Sequence, residues 1–286
     1  MGSSSTEPAS AARRAGLAGT LLAGLRAARL LGPAFRAYER WQTWTSARRR
    51  GGAAAGPDGL PLPPQRLVVL VAGPASVESF LRKGRLGADV VRDALARQGV
   101  AIATVGDVLD FGVGCGRVAR HWHDLTGPRI HGCDINEELV AWTRANLPFV
   151  EARVTGLGPP LPYADGALDV AYALSVFTHL PEELQGAWAA ELARVIRPGG
   201  HLVLSTHGRA YFDRLDAGER ADFEADRLIV HYAELAGANL CSVFHSTAAV
   251  ARQFSDGFEL VESVPEGARG NGRQDLHVLR RYGQSA

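Results

Sequence analysis

At 286 residues, the chain has room for one large α/β domain with additions, or for one domain behind an N-terminal extension. A net charge of +1 gives no whole-chain bias toward nucleic acid or an anionic membrane. No apolar run reaches the ~18 residues of a membrane-spanning helix. Cys115, Cys133 and Cys241 show neither metal-ligand spacing nor an even disulfide framework, so they read as reduced packing thiols of a cytoplasmic protein, and no metal is expected.

Residues 1–60 differ in character from residues 61–286. They carry nine arginines against Glu7, Glu39 and Asp58, a net +6, which leaves −5 for the rest. Residues 1–12 are Ser/Ala-rich, a composition too poor in apolar side chains to order itself. From Arg13 to about Arg50 apolar residues recur at three- and four-residue steps, as in an amphipathic helix. Leu17, Leu21, Leu22, Leu25, Leu30 and Leu31 would form its apolar face, and Gly32-Pro33 should interrupt it. Three readings fit this segment: a helical cap on the following domain or on a partner subunit of a homodimer, a peripheral helix on an anionic membrane surface, or a secretory leader. Arg26 and Arg29 interrupt the apolar core that a leader needs. Gly51–Pro64, rich in Gly, Ala and Pro, reads as a linker.

The domain at 61–286 begins with Arg66–Val71, a β-branched and leucine run that reads as an accessory strand. Val77–Gln98 has helical spacing, broken at Gly84 and Gly87. Strands then alternate with helices: strand 106–110, helix 117–125, strand 129–133, helix 136–147 stopped by Pro148, strand 149–154, strand 168–174, helix 181–196 and strand 201–206. An insertion over about 208–247 follows, rich in aromatic and histidine residues. Phe258–Val264 and Gln274–Leu279 close the domain as an antiparallel pair around a turn at 267–272. The expected fold is α/β: a doubly wound Rossmann-like sheet, mostly parallel with an antiparallel closing strand, plus an N-terminal helical extension and an insertion after strand five.

The first strand runs into Asp110-Phe111-Gly112-Val113-Gly114-Cys115-Gly116-Arg117, and the second ends on Asp134. A strand, a glycine turn and an acid about 20 residues further on describe a nucleotide-type cofactor site: glycines admit close backbone approach, N–H groups at a helix start lie open to the ligand, and the acid accepts from ribose hydroxyls. Arg117 stands where a dinucleotide fingerprint needs its third glycine, and no Lys follows Gly116 as in a P-loop. Asp110 would repel a pyrophosphate but suits a cationic ligand. S-adenosylmethionine, with a sulfonium, an ammonium and no phosphate, meets that demand.

In these motifs the chain resembles the class I S-adenosylmethionine-dependent methyltransferases of the bacterial small-molecule type. Asp134-Ile135-Asn136 is similar to that superfamily's second-strand acid, and Pro159–Asp169 to the loop entering its fourth strand. Ala173–Leu180 resembles the end of that strand, and Leu192–Leu202 the turn before the fifth. The likeness covers 100–206 well and 239–280 more loosely. It implies S-adenosylmethionine as cofactor, S-adenosylhomocysteine as its product, and a small-molecule acceptor. It further implies that Gly112, Val113, Gly114 and Gly116 line the methionine part, that Asp110 lies near the ammonium and that Asp134 binds the ribose. Ile135 would pack on adenine, Thr155 stand at the adenine edge where relatives carry Asp or Asn, and Leu174 and Ser175 approach the reactive methyl.

Ligands of open α/β sheets lie beyond the carboxyl ends of the strands. The acceptor should therefore sit among Ser175–His179, Thr206–His207 and the insertion, which would act as its cap. Methyl transfer depends on placement, and an oxygen or nitrogen acceptor also needs a base. His207, His179 and His245 are the candidates, with His207 favoured; a turn, packing or capping role is the alternative for each. The signature [DNS]-P-P-[YFW] of base-modifying enzymes is absent after strand four, where Ala173-Leu174-Ser175-Val176 stands, so nucleic acid is not expected as a partner. The activity implied is methyl transfer to a small or medium organic acceptor in bacterial secondary-metabolite or glycan biosynthesis. The alternatives are a non-methyl transfer or rearrangement on the same fold, and a non-catalytic cofactor-binding protein.

Overall fold

In the computed structural model, runs of aliphatic and β-branched residues form β1 (Asp107–Phe111), β2 (Arg129–Asp134), β3 (Val150–Val154), β4 (Leu168–Ala173), β5 (Ile196–Thr206), β6 (Ile229–His231), β7 (Ser242–Phe244), β8 (Phe258–Val264) and β9 (Asp275–Arg281). The structure describes residues 24–26, 30–34, 37–38, 41, 55–73 and 75–283. The chain divides into two compact units, Met1–Arg50 and Gly51–Ala286.

In the first unit, residues 24–26, 31–34, 37–38 and 41 are helical. The described helix is interrupted at Leu30, ahead of Gly32-Pro33. Pro33 lies in the turn that begins at Leu31, where a missing N–H costs nothing. Leu17, Leu21 and Leu22 of the expected apolar face, and the Ser/Ala-rich start, lie outside the described residues. No described helix is long and apolar enough to cross a membrane.

The second unit is built on a seven-stranded sheet in the order β3-β2-β1-β4-β5-β9-β8. The first five strands pair in parallel, and β9 runs antiparallel between β5 and β8. The expected doubly wound, Rossmann-like α/β sheet is therefore present. Period-two alternation sends Val108, Ile130, Val170, Tyr172 and Val203 to one face, with Trp122 and helix α2 (Val77–Arg97). Leu109, Cys133, Ala171 and Leu202 face the other way, onto Trp188 of α4 (Glu182–Val195) and Phe254. Helix α3 (Glu137–Asn146), capped by the Asn136 side chain, adds Val140 to the first face. The two tryptophans are each at most 1% exposed, and truncating either to Ala would cost about 3–5 kcal/mol.

Several local expectations change. Arg66–Val71 is helix α1 (Gln65–Ala72), not a strand: Pro64 fixes its start, and Gly73, at φ 67, ends it by returning its N–H to the Val69 carbonyl. That bracketing Pro and Gly outweighed the β-branched content. Residues 117–125 form turns and a single 3₁₀ segment at Ala119–Trp122 rather than an α-helix. Ala119, Arg120 and Trp122 are all fully buried, so no one-sided stripe exists for an α-helix to follow. Pro181 is the N-cap of α4, outside its first turn. Pairing of β5 with β4 begins at Ile196, and the register shift before His201 absorbs the Gly199-Gly200 turn that would have delayed it. Residues 55–63 are not free linker: the fully buried Arg120 guanidinium grips Asp58 at 2.7 and 2.9 Å and reaches the Leu60 and Pro61 carbonyls.

Candidate active site

The glycine turn follows β1. Gly112, Gly114 and Gly116 have φ of 87, 55 and 72, a region that a Cβ makes costly. The space around them is also taken. A Cβ would lie 2.5 Å from Val176 at Gly112, 2.7 Å from Val71 of α1 at Gly114, and 2.2 Å from Leu147 at Gly116.

Four N–H groups of the turn are engaged within the protein. Gly112 and Val113 donate to the Cys133 carbonyl, Gly114 to Asp134, and Gly116 back to Val113. No α-helix begins there, because the 117–125 segment forms turns. A pyrophosphate would find no α-helix N-terminus here, which favours a ligand held by close approach and by acids. Asp134 is that acid. Its half-buried carboxylate accepts from Gly114 N and Asn136 N, both at 2.9 Å, and each oxygen keeps a lone pair for a ribose hydroxyl. Burial raises its pKa. Ile135 beside it is 44% exposed and Leu157 39%, a pair of bare apolar side chains such as an adenine ring covers. Thr155, half-buried, donates its N–H to the Asp134 carbonyl. This residue set fits an adenosyl group without phosphate.

Asp110 is buried beneath the turn on the same sheet face as Tyr172. Burial pushes its pKa to about 7, against the hydrogen bond from the Tyr172 hydroxyl and the charge of Arg117. The Tyr172 oxygen in turn accepts from Trp122 Nε1 at 2.9 Å. Arg117, where a dinucleotide site has glycine, donates to Asn271 Oδ1 at 2.6 Å. Leu174 is buried, and Ser175 turns the chain at φ 66, a left-handed conformation that costs a non-glycine residue about 1–2 kcal/mol.

Of the three histidines, His179 and His207 come together, with ring centres 6.4 Å apart. His179 Nδ1 lies 2.7 Å from the Cys241 carbonyl. A carbonyl only accepts, so Nδ1 holds the proton and Nε2 keeps its lone pair; burial depresses the pKa and the ring is neutral at pH 7. His207 packs 4.4 Å from Tyr211 and 5.3 Å from Phe244, centre to centre. Burial and the neighbouring His179 push its pKa to about 3, and its buried Nδ1 has no hydrogen-bond partner. His245 is 2% exposed, its Nε2 satisfied by Gln185 Oε1 at 2.8 Å, and its buried Nδ1, like that of His207, has no hydrogen-bond partner. The helix after it, α6 (Thr247–Gln253), is capped by Ser246 instead.

The insertion contains α5 (Ala217–Glu224) and the hairpin of β6 and β7. It reaches back across the sheet: Gly237 N donates to the His179 carbonyl at 2.8 Å, and a Cβ on Gly237 would lie 2.7 Å from Ile135. Asn239 Nδ2 donates to the Leu70 carbonyl of α1. One segment thus borders both Ile135 and His179. Sequence reasoning missed α1 against Gly114, Tyr172 beneath Asp110, and the Gln274 and Ser205 contacts to Ser175. Only α1 had a readable signal, its flanking Pro64 and Gly73.

A glycine turn and a ribose-type acid beyond a parallel sheet define a nucleoside-cofactor fold of the Rossmann-like class. Residues 109–204 match a family model described as a methyltransferase domain. A protein of Mycolicibacterium smegmatis named as a probable S-adenosylmethionine-dependent methyltransferase is 38% identical over 37% of this chain and 40% of its own length. Methyltransferase GfsG of Streptomyces halstedii is 35% identical over 34% of this chain and 36% of its own. The matched region thus spans about two fifths of these relatives. The Burkholderia thailandensis 1,6-didemethyltoxoflavin-N1-methyltransferase, solved with S-adenosylhomocysteine, shares the fold: TM-score 0.51 at 18% identity, over 72% of this chain and 81% of that one. Residues 109–204 thus form a methyltransferase-type domain, similar in sequence to S-adenosylmethionine-dependent methyltransferases and sharing their fold.

Proposed function

We propose that the protein is a cytoplasmic methyltransferase acting on a small or medium organic acceptor, in bacterial secondary-metabolite or glycan biosynthesis. The observation that carries this reading is Asp134 at the carboxyl end of β2, tied to the glycine turn through Gly114 N and flanked by bare Ile135 and Leu157. The bacterial relatives support the setting. The missing base-modification signature after β4 supports a small acceptor.

Bound S-adenosylmethionine supplies an electrophilic methyl on a sulfonium. Asp134 holds the ribose hydroxyls, Ile135 and Leu157 cover the adenine, and Thr155 meets its edge. Gly112, Val113, Gly114 and Gly116 line the methionine part, and Asp110 lies behind them toward the ammonium. Leu174 and Ser175 border the reacting end. His179 takes the acceptor's proton at Nε2, and the Cys241 carbonyl on Nδ1 steadies the resulting imidazolium. His207, neutral across the working range, packs beside His179 and helps to shape the acceptor side. The base role therefore moves from His207 to His179, and His245 takes no part. Most of the rate comes from alignment of the two reactants.

The test is product identity. The protein is incubated with S-adenosylmethionine and a panel of phenols, amines, sugars and carboxylic acids. Acceptor-dependent S-adenosylhomocysteine supports the proposal. Methylthioadenosine would point instead to aminocarboxypropyl transfer, and cofactor uptake without any turnover to a binding protein.

A further inference from the structure

Ser175 is the one non-glycine residue next to the glycine turn with a left-handed backbone, φ 66. Nothing in Leu174-Ser175-Val176 favours that conformation locally. It is held from outside by a closed ring of hydrogen bonds. Ser175 N donates to Ser205 Oγ at 2.8 Å, Ser205 Oγ donates to Gln274 Oε1 at 2.7 Å, and Gln274 Nε2 donates to Ser175 Oγ at 2.8 Å. The amide's chemistry sets the direction: its oxygen only accepts and its nitrogen only donates. Thr178 closes the remaining valence, donating from Oγ1 to the Ser175 carbonyl at 2.9 Å and lying 3.3 Å from Ser175 Oγ. Ser205 and Gln274 are buried, so water does not compete for these groups.

The ring bears on the cofactor side through one contact. Val176 follows the turn, and its Cγ2 lies 2.5 Å from the position a Cβ would take on Gly112. Val176 therefore sits against the bare face of the glycine turn. Relaxing Ser175 to a negative φ would swing Val176 relative to Gly112 and alter the wall that faces the methionine part.

We propose that Gln274 and Ser205 are positioning residues for the cofactor site, which they serve by locking Ser175 in its left-handed turn and so fixing Val176 against Gly112. The proposal rests on the cofactor reading given above. Gln274 lies about 100 residues beyond β4, next to β9, outside every motif that identifies the superfamily. Its contribution is to the shape of the turn and not to a contact with the reacting atoms.

The test is a double-mutant cycle read by calorimetric titration with S-adenosylhomocysteine. Gln274→Ala in the Ser175 background should weaken binding about tenfold, because an unlocked seryl residue relaxes out of the left-handed region. In the Ser175→Gly background, where glycine holds that conformation unaided, the same Gln274→Ala change should cost about twofold or less. Gln274→Glu, which keeps the acceptor for Ser205 but loses the donor to Ser175 Oγ, should weaken binding by an intermediate factor. It carries the test if the alanine variant does not fold. Equal losses in both backgrounds, or wild-type binding by Gln274→Glu, would overturn the proposal alone. Absence of binding by the wild-type chain would overturn the cofactor reading and the proposal with it.

Discussion

The proposed cofactor wall of the site and its proposed acceptor wall are built by different means. From Leu109 to Thr155 the wall is backbone: three left-handed glycines, N–H groups returned to the Cys133 carbonyl, and one carboxylate on a turn N–H. Around His179, His207, Tyr211 and Phe244 it is side chains: two neighbouring imidazoles and an aromatic cluster. Backbone geometry demands particular residue types at fixed spacing. Side-chain networks can be assembled from residues far apart in sequence, and their members can be exchanged singly. The first wall can serve one cofactor throughout a superfamily, while the second is free to follow the acceptor.

The sharpest break of this contrast is steric. Gly116→Ala meets the buried Leu147 side chain and a φ of 72, and should lower unfolding free energy in urea by about 2–4 kcal/mol. Asp134→Ala removes one carboxylate and should weaken S-adenosylhomocysteine binding about a hundredfold, with a much smaller loss of stability. On the acceptor wall, His179→Gln should lower kcat about a hundredfold and leave S-adenosylhomocysteine affinity unchanged. An equal loss of cofactor affinity would erase the division between the walls. The wild-type rate should rise with pH through a value below 6.5, the ordinary histidine value, and be flat from neutral pH upward, since burial depresses the His179 pKa.

Asp110→Asn sharpens the comparison by a smaller amount and with opposite signs. The folded pKa of about 7 lies above the ordinary 3.8. Between those values the folded state binds more protons than the unfolded, so the contribution of Asp110 to stability is complete below about pH 4 and is lost as pH rises through 7. Asn keeps an acceptor for the Tyr172 hydroxyl and carries no charge. The variant should gain on the order of 1–2 kcal/mol at pH 8 and little at pH 4, flattening the pH dependence of Tm. It should bind S-adenosylhomocysteine more weakly than wild type above pH 7.

The same division explains what the sequence made legible. The alternation of strands and helices, Asp110, the three glycines and Asp134 each answer to a backbone requirement, and the sheet formed as their spacing implied. At α1 the run Leu67-Val68-Val69-Leu70-Val71 favours a strand locally, whereas Pro64 at the N-cap, Gly73 at the C-cap and the buried face of Leu67 and Val68 make it a helix. The 117–125 segment lost its α-helix to the demand that Arg120 reach Asp58 and Trp122 reach Tyr172, partners 62 and 50 residues away. The histidines were visible as residues, but their roles were not. Only the fold shows that Cys241 fixes the His179 tautomer, that His207 Nδ1 is unpartnered, and that Gln185 occupies His245.

The central claim is that the glycine turn and Asp134 together hold an adenosyl cofactor. Calorimetric titration of S-adenosylhomocysteine into wild-type protein and Asp134→Ala tests it most directly. The account predicts saturable one-to-one binding to the wild type and a loss of about a hundredfold in the variant. No binding by the wild type, or the same affinity in both proteins, would contradict it.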